Sequence, residues 1–103
     1  MKRFDLWGSS SLTTEEVAFS LEDALSIYFV EHDSSYLGIY FLFALDGEEI
    51  RVQRNEPDDE GYLPERGFPH CQTLVYVNGS SRWEDLDAAF RAAGLELLRS
   101  KTV

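Results

Sequence analysis

The sequence predicts an α+β domain, in which a mostly antiparallel sheet of about five to six strands carries two helices on one face. Two observations indicate this class. Apolar residues recur at helical spacing in two segments, and the remaining apolar runs are short, rich in β-branched or aromatic residues, and bounded by turn residues. A length of 103 residues, 44% of them hydrophobic, suits one core, so residues 1–103 are expected to form a single domain. The predicted element order is β-α-β-β-β-loop-β-α-β.

The first two elements are a strand and a helix. Apolar and polar residues alternate from Arg3 to Trp7, and the Gly8–Ser11 segment ends this short strand. Thr13 and Glu16 have the spacing of a capping box, so a helix should begin there and end near Leu25 or Ser26. Its apolar face is formed by Val17, Leu21, Ala24, Leu25 and Tyr28.

Three strands are predicted next. Ile27–Val30 is β-branched and aromatic and favours a strand, and the polar segment Glu31–Ser35 is typical of a turn. The nearly continuous apolar run Tyr36–Leu45 predicts a central strand that is covered on both faces and has neighbouring strands on both sides. Asp46-Gly47 is a strong hairpin signal before the alternating strand Glu48–Arg54.

The last three elements repeat these patterns. Leu74–Val77 is typical of a buried strand closed by Asn78-Gly79. Ser81 and Glu84 have capping-box spacing, so a second helix should begin there and end before Gly94 at the C′ position. Leu95–Arg99 is most simply a final strand.

A long acidic loop is predicted over about residues 55–72. It contains all three prolines and no apolar periodicity, and loops of this length tend to be functional or mobile. Glu56-x-Asp58-x-Glu60-Gly61 resembles the first half of a calcium loop, but the second half is missing, so a solvated acidic loop is the alternative. Tyr62 and Phe68 either pin the loop to the domain or are offered to a partner.

Charge excludes several classes of function. The formal net charge is −10, so the surface repels nucleic acid and anionic membranes and attracts cationic partners.

The longest apolar run, Ile39–Leu45, is far shorter than a membrane span. The N-terminal segment lacks the apolar run of a secretory signal, and the single Cys cannot form an intramolecular disulfide, so the cytoplasm is the expected compartment.

Catalytic groups do not converge in the sequence. His70 and Cys71 are adjacent in the long loop and could supply a nucleophile site, but no third orienting group is evident. Glu48 and Glu49 are consecutive on a strand and point to opposite faces, so they do not form an acid/base pair. A structural zinc site needs four nitrogen or sulfur ligands, and His32, His70 and Cys71 are too few. We expect no catalytic residues, no metal and no cofactor. A small enzyme or ligand-binding domain built around His70 and Cys71 is a minor alternative.

The distribution of charge points to a binding protein. Residues 1–54 carry 4 basic and 10 acidic groups, residues 55–66 carry 1 and 5, and residues 67–103 carry 4 and 4. An acidic face formed by the first helix, the hairpin and the long loop would steer a cationic protein into contact. The expected partner-binding residues are Asp33, Asp46, Glu48, Glu56, Asp58, Asp59, Glu60 and Tyr62.

Several segments together carry a resemblance to a known class of proteins. They are Leu12–Glu16 at a helix start, Glu31–Tyr36 before a strand, Glu48–Asn55 before the acidic loop and Leu74–Gly79 before the closing helix. In this order they resemble the small acidic immunity proteins of bacterial polymorphic-toxin and contact-dependent growth-inhibition systems. The resemblance implies an antitoxin that binds a cognate toxin domain, expected to be a basic nuclease, and blocks its active site or substrate path. It transfers no individual contact residue.

Two questions stay open at this stage. An acidic interaction or regulatory module acting on a host protein is the alternative to an immunity protein. A monomer is favoured, although an exposed strand edge could pair with a copy of itself or with the toxin.

Overall fold

A computed structural model describes residues 2–102. Over this range the chain forms one six-stranded sheet in the order β2-β3-β4-β5-β1-β6, and all neighbouring strands are antiparallel. The elements are β1 (Arg3–Ser9), α1 (Thr14–Leu25), β2 (Val30–Ser34), β3 (Gly38–Leu45), β4 (Glu48–Arg54), β5 (Thr73–Ser80), α2 (Trp83–Ala92) and β6 (Glu96–Thr102). The predicted class, element order and number of helices are confirmed.

Both helices cover one face of the sheet, as predicted. Their buried residues pack with inward-facing residues of the four central strands, and the ring edge of Phe90 meets Trp7 at a centroid distance of 5.2 Å. The main core consists of Trp7, Val17, Leu21, Ile27, Ile50, Val52, Val75, Val77, Leu86, Phe90 and Leu95. Burial of this apolar area provides the main driving force for folding.

The long loop covers half of the opposite face. Leu6 and Leu74 point away from the helices and form a second cluster with the buried thiol of Cys71, and Phe68 from the loop packs on it. Strands β5, β1 and β6 contribute side chains to this second cluster, so the loop covers their half of the face. On the β2-β3-β4 half, Tyr40 and Leu42 lie partly exposed on the same face.

The β2-β3 hairpin corrects two predictions. The strand predicted over Ile27–Val30 lies instead at Val30–Ser34, so its last four residues fall in the segment predicted as a turn. Polar residues can form this strand because β2 lies at the sheet edge, where both side-chain faces meet water. β3 does have strands on both sides, as predicted, but coverage of both its faces was wrong, since Leu45 is exposed and Phe41 and Phe43 are only partly buried.

The helix ends show one correct and one incorrect capping prediction. At α1, Thr13 accepts a hydrogen bond from the Glu16 N–H and the Glu16 side chain accepts one from the Thr13 N–H. The capping box predicted at Ser81 and Glu84 is absent. The N-cap of α2 is Arg82, whose guanidinium cannot accept a hydrogen bond and bonds to Glu48 instead, so the helix has no side-chain cap.

Turn glycines account for two further details. Asp46 and Gly47 have φ values of 51° and 85°, which confirms the predicted hairpin turn. The strand predicted to close at Asn78-Gly79 instead continues to Ser80, with Gly79 at φ 73° inside β5. A Cβ at Gly79 would lie 2.7 Å from the Gly47 carbonyl oxygen, so only glycine fits where these two segments meet.

Candidate functional site

A buried asparagine closes the base of the acidic loop. The Asn55 side-chain nitrogen donates to the carbonyl oxygens of Phe68 and Cys71 at 2.9 and 3.0 Å, and its oxygen accepts from the Glu65 N–H at 3.1 Å. The Asn55 N–H donates to the carbonyl of Gln72 at 3.0 Å. One amide therefore satisfies polar backbone groups at three points of a loop that has no regular secondary structure.

A polar network ties the same loop to the sheet. The Tyr76 hydroxyl donates to Glu65, which also receives hydrogen bonds from Arg99 of β6. Burial raises the pKa of Tyr76 well above its ordinary value, and its hydrogen bond to Glu65 and the charge there add to the effect. The guanidinium of Arg51 lies 4.9 Å from the Tyr76 ring centroid. Glu65 is thus a structural residue, although it belongs to the acidic loop.

The tip of the loop is an exposed acidic surface. Asp58 organises it by accepting the N–H groups of Glu60 and Tyr62, both at 2.9 Å, in an Asx turn. With the β2-β3 turn the tip encloses an open cleft of about 620 Å³. We call this the acidic cleft; it is lined by Ser35, Tyr36, Leu37, Gly38, Arg54, Glu56, Pro57, Asp58, Asp59, Glu60, Tyr62 and Pro64.

Two tyrosines stand out at this cleft. Tyr36 is 80% exposed and Tyr62 is 52% exposed, and both line it. Arg66 lies 5.3 Å from the Tyr62 ring centroid and holds that ring at the surface. Among residues 2–102, Glu56, Asp59 and Glu60 form no ion pair. The cleft therefore offers free carboxylates and aromatic rings, which suits a cationic protein surface.

The predicted partner-binding residues divide into two groups at opposite ends of the hairpin. Glu56, Asp58, Asp59, Glu60 and Tyr62 come together at the acidic cleft, and Asp33 lies on β2 two residues before Ser35 of its lining. Asp46 and Glu48 lie at the other end of β3, which is eight residues and about 25 Å long. The single acidic face expected from loop and hairpin together is therefore divided.

Glu48 is already engaged within the chain. Its carboxylate receives hydrogen bonds from Arg82 at 2.7 to 3.1 Å and from the Ser80 hydroxyl at 2.9 Å, and its side chain is 11% exposed. Burial raises its pKa, but the hydrogen bonds from Arg82 and Ser80 and the charge of Arg82 outweigh this, and the pKa is lowered overall. Glu48 therefore joins the hairpin to the start of α2.

The aromatic residues resolve one open alternative and correct one prediction. Phe68 pins the loop to the second cluster, whereas Tyr62 is offered at the surface. Phe19, within α1, is 75% exposed. Tyr36, predicted as the first residue of the buried strand, lies in the β2-β3 turn. Its position next to Ser34-Ser35 was the one signal in the sequence that could have placed it at the surface.

Nucleophile and metal chemistry find no support at His70 and Cys71. The thiol of Cys71 is 2% exposed, and burial, helped by the charge of Glu96, raises its pKa. The His70 ring lies edge-on to Phe68, at a centroid distance of 6.4 Å. Within residues 2–102, no group of three or more His, Cys, Asp or Glu side chains is placed to hold a metal ion. In the calcium-like segment, Asp58 instead accepts backbone N–H groups of its own loop.

The two sides of the sheet differ in charge. The segments α1 and β2 together contain six carboxylates and no Lys or Arg. β6, at the other edge, contains one carboxylate and two basic residues. The acidic cleft lies on the β2 side, where this excess of carboxylates is found.

Comparisons with known proteins give no family for the chain. No protein-family model matches it, and a search of curated proteins finds no match. In the described part of the chain, neither helix has the length and apolar character needed to cross a membrane.

Proposed function

We propose that this protein is an immunity protein that binds a cognate bacterial toxin domain and neutralises it by stoichiometric occlusion. The observation that carries the proposal is the acidic cleft, where free carboxylates surround two exposed tyrosines on an anchored loop. Aromatic rings in a charged surround are typical of the residues that dominate protein–protein binding.

The proposed toxin is a basic nuclease. A nuclease must attract phosphates, so its substrate cleft is basic, and the carboxylates of Glu56, Asp59 and Glu60 would occupy the position of phosphates. The long-range attraction would raise the association rate, and the anchoring by Asn55 would reduce the entropy lost on binding. This function needs no catalytic residue, metal or cofactor. We place it in the cytoplasm, where a toxin acting on nucleic acid would have to be blocked.

Co-expression tests the function itself. The open reading frame adjacent to this gene is induced in cells with and without this chain, and survivors are counted. We expect this chain to restore growth and to co-purify with the toxic product at a 1:1 ratio. A harmless neighbouring product, or one that kills regardless, would contradict the proposal. A stable host partner in place of the toxin would favour a regulatory module.

A charge-reversal pair tests the surface. In the variant Asp59→Lys/Glu60→Lys both changes are at exposed positions, and Asp58 is kept because it organises the loop. The control Glu84→Lys/Glu96→Lys changes the net charge equally at exposed positions of α2 and β6, away from the acidic cleft and β2. We expect the loop variant to bind the toxin at least about tenfold more slowly at low salt than the control does. Equal rates would show that another surface binds.

A further inference from the structure

The edge strand β2 has unpaired backbone groups along its outer side. It pairs only with β3 and ends the sheet, and four of its five residues are exposed. A row of free N–H and C=O groups therefore faces solvent along Val30–Ser34. Such an edge either pairs with an added strand or must be protected from pairing.

Exposed apolar side chains concentrate beside this edge. Tyr28, Val30 and Leu45 line an open groove of about 680 Å³ where β2 begins, and Tyr36 and Tyr62 line the acidic cleft where β2 ends. Tyr28 is 85% exposed. Of the seven large hydrophobic residues exposed within residues 2–102, Phe4 lies on β1, Tyr62 lies in the acidic loop across the cleft, and the other five lie in α1, β2, β3 or the loops that join them. Exposed aromatic residues gathered on one side of a domain are typical of an interaction surface.

The charges of β2 oppose pairing with a second copy. If two β2 strands met antiparallel about His32, Glu31 of each would lie opposite Asp33 of the other. Like charges at directly opposed positions destabilise a strand pair. β2 itself contains no Lys or Arg that could compensate. The same two carboxylates favour an added strand with basic residues, since opposite charges at these positions stabilise the pair.

We propose that the toxin domain docks by adding an extended strand to the β2 edge, with Lys or Arg at the alternate positions that face Glu31 and Asp33. This inference rests on the proposed function and specifies its binding mode. Backbone hydrogen bonds would supply affinity, and the two carboxylates would set the register. Tyr28 and Tyr36 lie two residues outside the two ends of β2, where they would contact the toxin on either side of the added strand.

Hydrogen exchange in the complex tests the docking mode. The full chain is mixed with the purified product of the adjacent reading frame, and amide exchange is followed residue by residue. We expect the outward amides of residues 30–34 to exchange at least about tenfold more slowly in the complex, whereas β6 amides stay unchanged. A complex without protection of β2 would overturn strand addition while the proposed function stood. Absence of any complex would overturn both.

Single proline variants separate backbone pairing from charge. Along an edge strand the N–H groups alternate between the neighbouring strand and solvent, so among Glu31→Pro, His32→Pro and Asp33→Pro only the outward positions should keep the fold. Each folded proline variant is compared with its match, Glu31→Gln, His32→Gln or Asp33→Asn, which keeps the N–H. We expect the folded proline variants to bind the toxin at least about tenfold more weakly than their matches. Equal affinities would overturn strand addition.

Sedimentation of the free chain tests whether a second copy of the chain, and not a toxin, occupies the β2 edge. We expect a monomer at all concentrations, since the facing carboxylates oppose self-pairing. A dimer that the same folded proline variants abolish would overturn the proposal, because the edge would then be occupied by a second copy. A head-to-tail chain of copies, in which β2 pairs with the β6 edge of the next molecule, would also overturn the proposal, because Arg99 and Lys101 of β6 would then supply the basic residues.

Discussion

The two edges of the sheet are built in different ways. Leu97 of β6 packs on the main core and Leu98 on the second cluster, and Arg99 and Ser100 bond to Glu65 and Asp5. β2 has no buried residue and is held by β3 alone. Both edges lie in one sheet, yet only β6 is tied to the domain on both faces.

From this difference we expect β6 and the base of the loop to contribute to stability and β2 to contribute to partner binding. Substitutions around β6 and the base of the loop should cost folding free energy, because their side chains fill clusters or satisfy buried polar groups. Side-chain substitutions on β2 other than to proline should leave the free energy of unfolding nearly unchanged and alter only partner binding.

The largest effect is expected in the cluster beneath the loop. Leu74→Ala should lower the free energy of unfolding by about 2–5 kcal/mol, since Leu74 is fully buried and its removal leaves a cavity under the loop. Val30→Ala, at an exposed position of β2, should change it by less than about 0.5 kcal/mol. Urea unfolding followed by fluorescence measures both. Equal losses would show that β2 is as much a part of the folded core as β5.

The next effect is expected at the base of the acidic loop. Asn55→Ala should lower the free energy of unfolding by about 1–3 kcal/mol, because the carbonyls of Phe68 and Cys71 lose their donor. Limited proteolysis should then cut the loop faster. Asn78→Ala serves as the control, since the Asn78 side chain makes one long contact of 3.4 Å with Glu49. A loop that resists protease equally in both variants would mean that Phe68 packing alone holds it.

A smaller, pH-dependent effect is expected at Glu48. Folding lowers the pKa of Glu48, so its carboxylate stabilises the fold above its ordinary pKa, and this contribution is lost as the pH falls through the lowered value. Glu48→Gln should cost about 1 kcal/mol at pH 7, a modest figure because Arg82 is partly exposed. The gap between wild type and variant should narrow below about pH 4.5. Thermal unfolding from pH 7 to pH 3 measures the gap in stability between wild type and variant. A gap that widened in acid would mean that folding raises the pKa of Glu48 instead of lowering it.

The smallest effect is expected at the basic edge. Arg99→Gln removes an ion pair whose arginine side chain is 58% exposed, so the free energy of unfolding should fall by less than about 1 kcal/mol. Toxin association should be unaffected, since Arg99 lies at the edge opposite β2. Stopped-flow mixing of the variant with the toxin checks this. A clear change in association rate would place the docking surface at β6.

Local sequence signals predicted most of the fold. The Thr13 capping box, the Asp46-Gly47 turn and the helical spacing of Leu86 and Phe90 depend on residues close in the chain, and all three appear in the structure. The misplaced second strand has a tertiary cause. Glu31–Asp33 resembles a turn because it is polar, but an edge strand tolerates polar residues on both faces, and edge position is decided by the whole sheet.

The sequence predicted only those parts of the candidate site that depend on residues close together in the chain. Loop composition identified Glu56, Asp59, Glu60 and Tyr62, which lie within seven residues of one another. The pairing of Glu48 with Arg82 could not be predicted, because the two residues lie 34 positions apart in the chain. Tyr36 was missed as a site residue because an aromatic beside an apolar run favours a buried strand, and only the turn before β3 exposes it.

The α+β class, the order of the elements, the negative charge and the acidic composition of the loop could all be predicted from the sequence. These follow from periodicity, turn residues and counted charges, which are local or additive. Tertiary structure alone decided that β2 is an edge, that the loop covers half of one face, and which carboxylates stay unpaired. Each of these depends on contacts between residues far apart in the chain, and long-range pairing is what a linear pattern does not encode.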